Sequence, residues 1–204
     1  MQCGGQGGCK GAIPELAFNY LQIAGGQTTE YMMPYTSYKG DNGNCSFNNT
    51  AHGTPAAVTI DGYVRVKSND VAAVMNAVQL GPLAVSVDAG GWQHYESGIY
   101  DAPFKSNSTT IDIDHVVQMV GYGVDAELDD TPYWIIRNSW ATGWGEKGFM
   151  RIQRSPNPDK PICKDDTTVL DGTGCEFQKD IVQHPCGPAG ILFDVAYPLG
   201  AALA

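Results

Sequence analysis

The sequence predicts an α+β protein in two parts: a short N-terminal part with one helix, and a longer part of antiparallel, barrel-like β structure. Three observations carry that prediction. Apolar residues recur at helical spacing over 13–24. From residue 58 onward the apolar runs are short, and mostly follow one another without helices between them. The chain holds 25 glycines and 12 prolines in 204 residues, so turns are frequent. Strands alternating with helices would instead point to parallel βαβ units.

Composition sets the outer bounds. Hydrophobic residues make up 43% and aromatic residues 10%, which is too apolar for a disordered chain. The length allows one ordinary domain or two small ones. With 22 acidic against 12 basic side chains the net charge is −10. A nucleic-acid binder needs a basic patch, so that class is excluded. No apolar run reaches the roughly 18 residues of a membrane helix.

Taken in order, residues 1–11 form a Gly-rich loop containing Cys3 and Cys9. Ile13, Leu16, Ala17, Tyr20 and Leu21 follow the i, i+3, i+4, i+7, i+8 pattern of a helix over 13–24. Pro14 suits its first turn, and Gly25-Gly26 end it. Residues 27–57 are polar and rich in turn formers, which places a domain boundary between 57 and 58. Tyr63–Lys67 alternates like a strand. Asn69 or Asp70 can cap a helix from Val71 to Leu80, which Gly81-Pro82 stop. Leu83–Val87, Val116–Val120, Tyr133–Ile136 and Phe149–Ile152 are further strands. Residues 155–185 turn polar and Pro- and Asp-rich, and read as a surface insertion in the second part (58–204).

Several motifs fail on context. Gly121-Tyr122-Gly123-Val124-Asp125-Ala126 fits a dinucleotide fingerprint, but an acidic stretch follows where a helix must open. A plain turn between strands is the better reading. Gly4–Lys10 lacks the Gly-Lys-Ser/Thr ending of a phosphate loop. Cys163, Cys175, His184 and Cys186 lack the closely spaced cysteine pair usual in zinc sites. A disulfide-stapled loop explains them better, and no metal or other cofactor is expected.

Six cysteines and three glycosylation sequons, at Asn44, Asn48 and Asn107, favour an oxidising compartment. No signal peptide precedes them, so a mature or partial chain is expected.

Two segments carry chemistry: Asp114-His115-Val116-Val117-Gln118-Met119-Val120-Gly121-Tyr122-Gly123, and Asn138-Ser139-Trp140-Ala141-Thr142-Gly143-Trp144-Gly145-Glu146-Lys147-Gly148. A histidine opens an apolar strand. An asparagine ends what can be the neighbouring strand, and two tryptophans and three glycines follow it. Their pairing is geometrically possible. Asp114 is a poor partner for His115, because adjacent strand residues point to opposite faces.

These two segments resemble the histidine and asparagine signatures of the papain-like cysteine peptidases, the cathepsin family. Further matches run in the same order: the Gly-rich cysteine loop at 4–11, Pro34-Tyr35, Gly81–Ala89, Tyr95–Tyr100, Cys186-Gly187 and Tyr197-Pro198. The resemblance covers nearly everything except about 155–185. It implies a papain-like fold, with 1–57 as a remnant of the helical domain and 58–204 as the β domain. It also implies a cysteine-type endopeptidase. In that chemistry His115 and a thiol pair as imidazolium and thiolate, and Asn138 fixes the ring. Trp140 shields the His115–Asn138 bond, and Trp144 supports it.

The same resemblance suggests substrate contacts at Gly7, Gly8, Gly11, Ala12, Ile13, Pro14, Ser86, Asp114, Val116 and Ile191, and a Cys3–Cys45 disulfide. Cys186 is expected to bond Cys163 or Cys175. Peptide or protein substrates and protein inhibitors are the implied partners, in a lysosomal, vacuolar or extracellular setting. One departure is large. The family's C-G-[SA]-C-[WY] nucleophile motif is absent, and Cys3 and Cys9 lie too close to His115 in sequence to replace it. The expectation is therefore a partial chain that hydrolyses nothing by itself. The competing reading is a catalytically silent binding protein of the same fold.

Overall fold

A computed structural model of the chain describes residues 8–50, 52–101, 108–155, 157, 159–169 and 182–204. Its elements in chain order are α1 (Pro14–Ala24), β1 (Val58–Thr59), β2 (Gly62–Arg65), α2 (Val71–Val78), β3 (Leu83–Val87), β4 (Ile99–Tyr100), β5 (His115–Asp125), β6 (Thr131–Arg137), β7 (Phe149–Gln153), β8 (Val195–Leu199) and β9 (Ala202–Leu203). Three short 3-10 turns, at Gly8–Lys10, Trp92–His94 and Pro188–Gly190, complete them. The α+β class holds.

The chain divides into two compact units. Among the described residues, the first runs to Val64 and takes back Pro198–Ala204; the second runs from Arg65 to Tyr197. The division falls after Val64, whereas the sequence suggested 57. Strand pairing explains the difference. Val58 pairs with Leu203 and Thr59 with Ala202, and Asp61 N–H donates to Leu199 O at 2.9 Å. The C-terminal ribbon therefore ties 58–61 to the first unit.

In the first unit α1 forms where the periodicity placed it. Pro14 sits in its first turn, and Gly25 ends it in the left-handed region at φ 77°. Gly25 N–H donates to Gln22 O and Gly26 N–H to Leu21 O, satisfying carbonyls the helix leaves open.

The second unit carries the core. Asp70 caps α2, its carboxylate accepting from Ala73 N–H at 3.0 Å. The strands make a seven-stranded sheet in the order β2-β8-β3-β5-β6-β7-β4. Its pairs are antiparallel at β3–β5, β3–β8, β5–β6 and β6–β7, but β4 runs parallel to β7. The sheet has two edges, β2 and β4, so the expected barrel is not closed. Val74 of α2, Leu83, Val85 and Val87 of β3, Met119 of β5, Trp134 and Ile136 of β6, and Met150 and Ile152 of β7 are fully buried together. Burying each such side chain contributes about 1.5–3 kcal/mol.

Two expectations are corrected. Residues 121–125 are not a turn. They extend β5 past a bulge between Met119 and Gly121, and the turn comes at 126–130. Asp129 and Asp130 take positive φ there, in the acidic stretch that had argued against a nucleotide loop. Nor is 155–185 wholly superficial. Ser155 and Asp166 are buried, and Asp166 N–H and Gln183 N–H each donate to the other residue's carbonyl, at 2.9 and 3.0 Å. No helix among the described residues is long and apolar enough to cross a membrane.

Candidate active site

The β5–β6 pairing places the two sequence-predicted residues together. His115 opens β5, and Asn138 follows the last residue of β6; Gln118 pairs with Arg137 and Met119 with Ile136 between them. His115 Nε2 lies 2.9 Å from Asn138 Oδ1. The same oxygen accepts from Ser139 N–H at 2.8 Å, which identifies it as the amide oxygen rather than the nitrogen. An amide oxygen only accepts, so His115 Nε2 carries the proton and donates. The lone pair of the neutral ring is then on Nδ1, which makes no hydrogen bond among the described residues. Asn138 Nδ2, by contrast, is buried with no partner. An unpaired buried donor costs about 1–3 kcal/mol, and such violations concentrate at functional sites.

Aromatic rings enclose the pair. Trp140 stacks on His115 with centroids 5.4 Å apart at 28°. Trp144 meets Trp140 edge-on at 5.2 Å, and its indole N–H donates to Trp92 O at 2.9 Å. Asn138 N–H donates to Gly148 O at 3.0 Å, and Gly148 N–H to Trp144 O at 2.7 Å. Gly148 has φ +90°, where a Cβ would stand 3.3 Å from Ala141 O, so this tight return favours glycine.

A charged network closes the far side of the same loop. Arg151 of β7 donates to both carboxylate oxygens of Glu146, at 2.8–3.3 Å, and to Asp125 at 3.1 Å. Glu146 also accepts from Gly98 N–H at 2.9 Å. The Arg151 guanidinium holds the Glu146 carboxyl below the usual range against the opposing effect of burial, and Glu146 in turn raises Arg151. Asp112 is pushed up, first by burial and then by the charges of Asp114, Asp166 and Asp88. Sequence reasoning gave Glu146 no role although it lies inside a quoted motif. Arg151, 14 residues beyond β6, carries no local signal at all.

Of the other predicted site residues, Asp114 accepts from Ala89 N–H at 3.0 Å through its carboxylate. Val116 is 37% exposed. Ser86 is 5% exposed and donates its hydroxyl to Asp194 at 2.7 Å, while Ile191 is fully buried in the core. In the first unit Gly8, Gly11 and Ala12 are exposed, Ile13 is half-buried and Pro14 is buried. Gly8 has φ +60°, and a Cβ on it would meet Asn42 Oδ1 at 2.5 Å; that oxygen also accepts from Cys9 N–H. Gly7 and Cys3 lie outside the described residues.

Cysteines follow a partly different plan from the expected one. Cys163 and Cys186 form a disulfide, which removes both from the zinc set considered above. Cys45 is free, its sulfur 3.5 Å from the Tyr20 hydroxyl, and Cys3, its expected partner, is not among the described residues. Cys9 is also free, and Cys175 lies outside the described residues. Within the second unit, then, neither described cysteine is available as a thiol.

An imidazole held through Nε2 by an amide oxygen, stacked under an indole and carrying its lone pair on Nδ1, can take a proton from a group brought to Nδ1. Comparison with known proteins gives the class. The family described as papain family cysteine protease matches residues 1–170. Cysteine proteinase COT44 of Brassica napus is 42% identical over 150 residues, covering 72% of this chain and 42% of that protein. Vignain of Ricinus communis is 34% identical over 186 residues, covering 90% and 46%. Among solved structures, the bromelain protease from Ananas comosus in complex with the E64 inhibitor superposes with a TM-score of 0.70 at 28% identity, covering 97% of this chain and 74% of that one. This chain belongs to the papain family of cysteine proteases. It spans less than half the length of the curated relatives it matches.

Proposed function

We propose that this chain carries the general base and its orienting amide for cysteine-type endopeptidase chemistry, acting on peptides or proteins. The observation that supports it is the 2.9 Å His115 Nε2–Asn138 Oδ1 bond under Trp140, which leaves Nδ1 as the proton-transfer atom. A thiol brought to Nδ1 transfers its proton there. The thiolate attacks the peptide carbonyl carbon, the C–N bond breaks, and the Nδ1 proton goes to the leaving amine. Water then gives a proton to Nδ1 and attacks the thioester, releasing the acid and regenerating the thiol. Asn138 stabilises the imidazolium in both steps without changing protonation.

Cys163 and Cys186 are bonded to each other and no C-G-[SA]-C-[WY] motif occurs in residues 1–204, so in this reading residues 1–204 alone do not turn over peptide. Protein inhibitors of thiol peptidases are further partners. The Cys163–Cys186 bond fits an oxidising vacuolar, lysosomal or extracellular setting. The test is a fluorogenic peptide assay with a thiol-directed epoxide, on purified residues 1–204 and on any longer product of the same gene. Turnover is expected only where a cysteine followed by Trp or Tyr is added, and His115→Ala should lower it by about 10³-fold or more. Turnover by residues 1–204 that survives His115→Ala would sink the proposal. Peptide binding without turnover by every product would favour the silent binding protein.

A further inference from the structure

The segment expected to be a surface insertion supplies a buried carboxylate next to the site. Asp166 is 1% exposed. Its Oδ2 accepts from Ile113 N–H at 3.1 Å, and its Oδ1 accepts from Thr168 N–H at 2.9 Å and Thr168 Oγ1 at 3.0 Å. The neighbouring backbone joins in: Ile111 N–H donates to Asp165 O at 3.1 Å, and Asp165 N–H to Thr109 O at 3.4 Å. Residues 109–113 thus run parallel to 165–166. That strap is itself anchored. Asp166 exchanges backbone bonds with Gln183, Cys163 is bonded to Cys186, and Asn69 Oδ1 accepts from Cys186 N–H at 3.0 Å.

His115 stands two residues beyond Ile113. The opposite side of this approach is held as firmly. Asp114 N–H donates to Val87 O at 3.1 Å, and Ala89 N–H donates to Asp114 Oδ1 at 3.0 Å. Gly190, at φ +70°, lets Ile113 pack against the backbone; a Cβ there would stand 2.5 Å from Ile113 Cδ1. Without Asp166, the Ile113 N–H loses its acceptor on the strap side, and one of the two sides that set where β5 begins is released.

We propose that Asp166 is a positioning residue for His115: through Ile113 its carboxylate fixes the start of β5 and so the ring's hydrogen bond to Asn138. This rests on the reading of His115 and Asn138 as the catalytic pair. The measurement uses no substrate, so a chain without turnover leaves it readable. Solvent exchange of the His115 Nε2–H is followed by NMR on the ¹⁵N-histidine-labelled chain. Asp166→Ala should accelerate it about tenfold, the scale of one lost hydrogen bond to a charged group. Asp166→Asn, which can still accept from Ile113 N–H, should restore most of the protection.

Val74→Ala, a core substitution that lowers Tm by a similar amount, serves as the control and should leave the signal within about twofold at a temperature well below Tm. If Asp166→Ala does not fold, Thr168→Val removes only the hydroxyl that holds Oδ1; it should give a smaller acceleration, about threefold. The proposal is overturned if Asp166→Ala, or Thr168→Val in its place, leaves exchange unchanged. It is overturned equally if Val74→Ala accelerates exchange as much.

Discussion

The two units use their apolar residues in opposite ways. In the second, Leu83, Met119, Trp134, Ile136, Met150 and Ile152 are sealed from solvent in one cluster. In the first, Ile23, Tyr31 and Tyr38 are 87%, 91% and 83% exposed, Pro14 is buried, and no residue of the buried core cluster lies there. Local devices shape the first unit instead: a proline-started, glycine-ended helix and asparagine clamps such as Asn49, which accepts from Ala56 N–H and donates to Gly25 O. A hydrogen bond that orients a ring needs a rigid frame, and His115–Asn138 sits in the unit that has a core. Helix geometry without buried surface specifies a shape but contributes little stability.

The largest test of that contrast compares isoleucines. Ile136→Ala should cost about 2–5 kcal/mol in urea unfolding, and Ile23→Ala less than about 0.5 kcal/mol. Equal losses would mean that Ile23 is covered in solution and the contrast is false. Asparagines give the next step. Asn138→Ala strips the acceptor from the His115 and Ser139 N–H groups and should cost about 1–3 kcal/mol, whereas exposed Asn49→Ala should stay near 0.5 kcal/mol. Asp70→Ala removes the α2 cap and should cost about 1 kcal/mol by the same measurement.

The smallest effects are titrations of opposite sign. Glu146 has a lowered pKa, so its contribution is full above the unfolded value of a glutamate and is lost as pH falls through the folded one. Asp112 has a raised pKa, so its penalty is absent in acid and appears as pH rises from the unfolded towards the folded value. Acid unfolding curves should therefore flatten in Glu146→Gln. Asp112→Asn should be more stable than the parent at neutral pH, by less than about 0.5 kcal/mol because the side chain is largely solvated.

Periodicity and turn chemistry made much of the fold readable. Helix α1, helix α2 and the strands at 83–87, 131–137 and 149–153 lie where apolar spacing put them. The Asn138–Gly148 segment drew attention because two tryptophans among glycines are hard to explain as packing, and Trp140 does stack on His115 with Trp144 against Trp140. What escaped depends on distant partners. Strand β4 is two residues long and exists only because Ile99 and Tyr100 meet Arg151 and Ile152. The bulge after Met119 hid the length of β5 behind two glycines. Asp166 reads as one more polar residue in a polar stretch; its value comes from Ile113, 53 positions earlier.

The bond between Cys163 and Cys186 has one more consequence, and it concerns survival rather than catalysis. It spans 23 positions of the chain. A peptidase that cut once between those cysteines would leave both pieces covalently joined. The nicked protein would migrate as a single band on a non-reducing gel and fall apart only when a reductant opened the bridge.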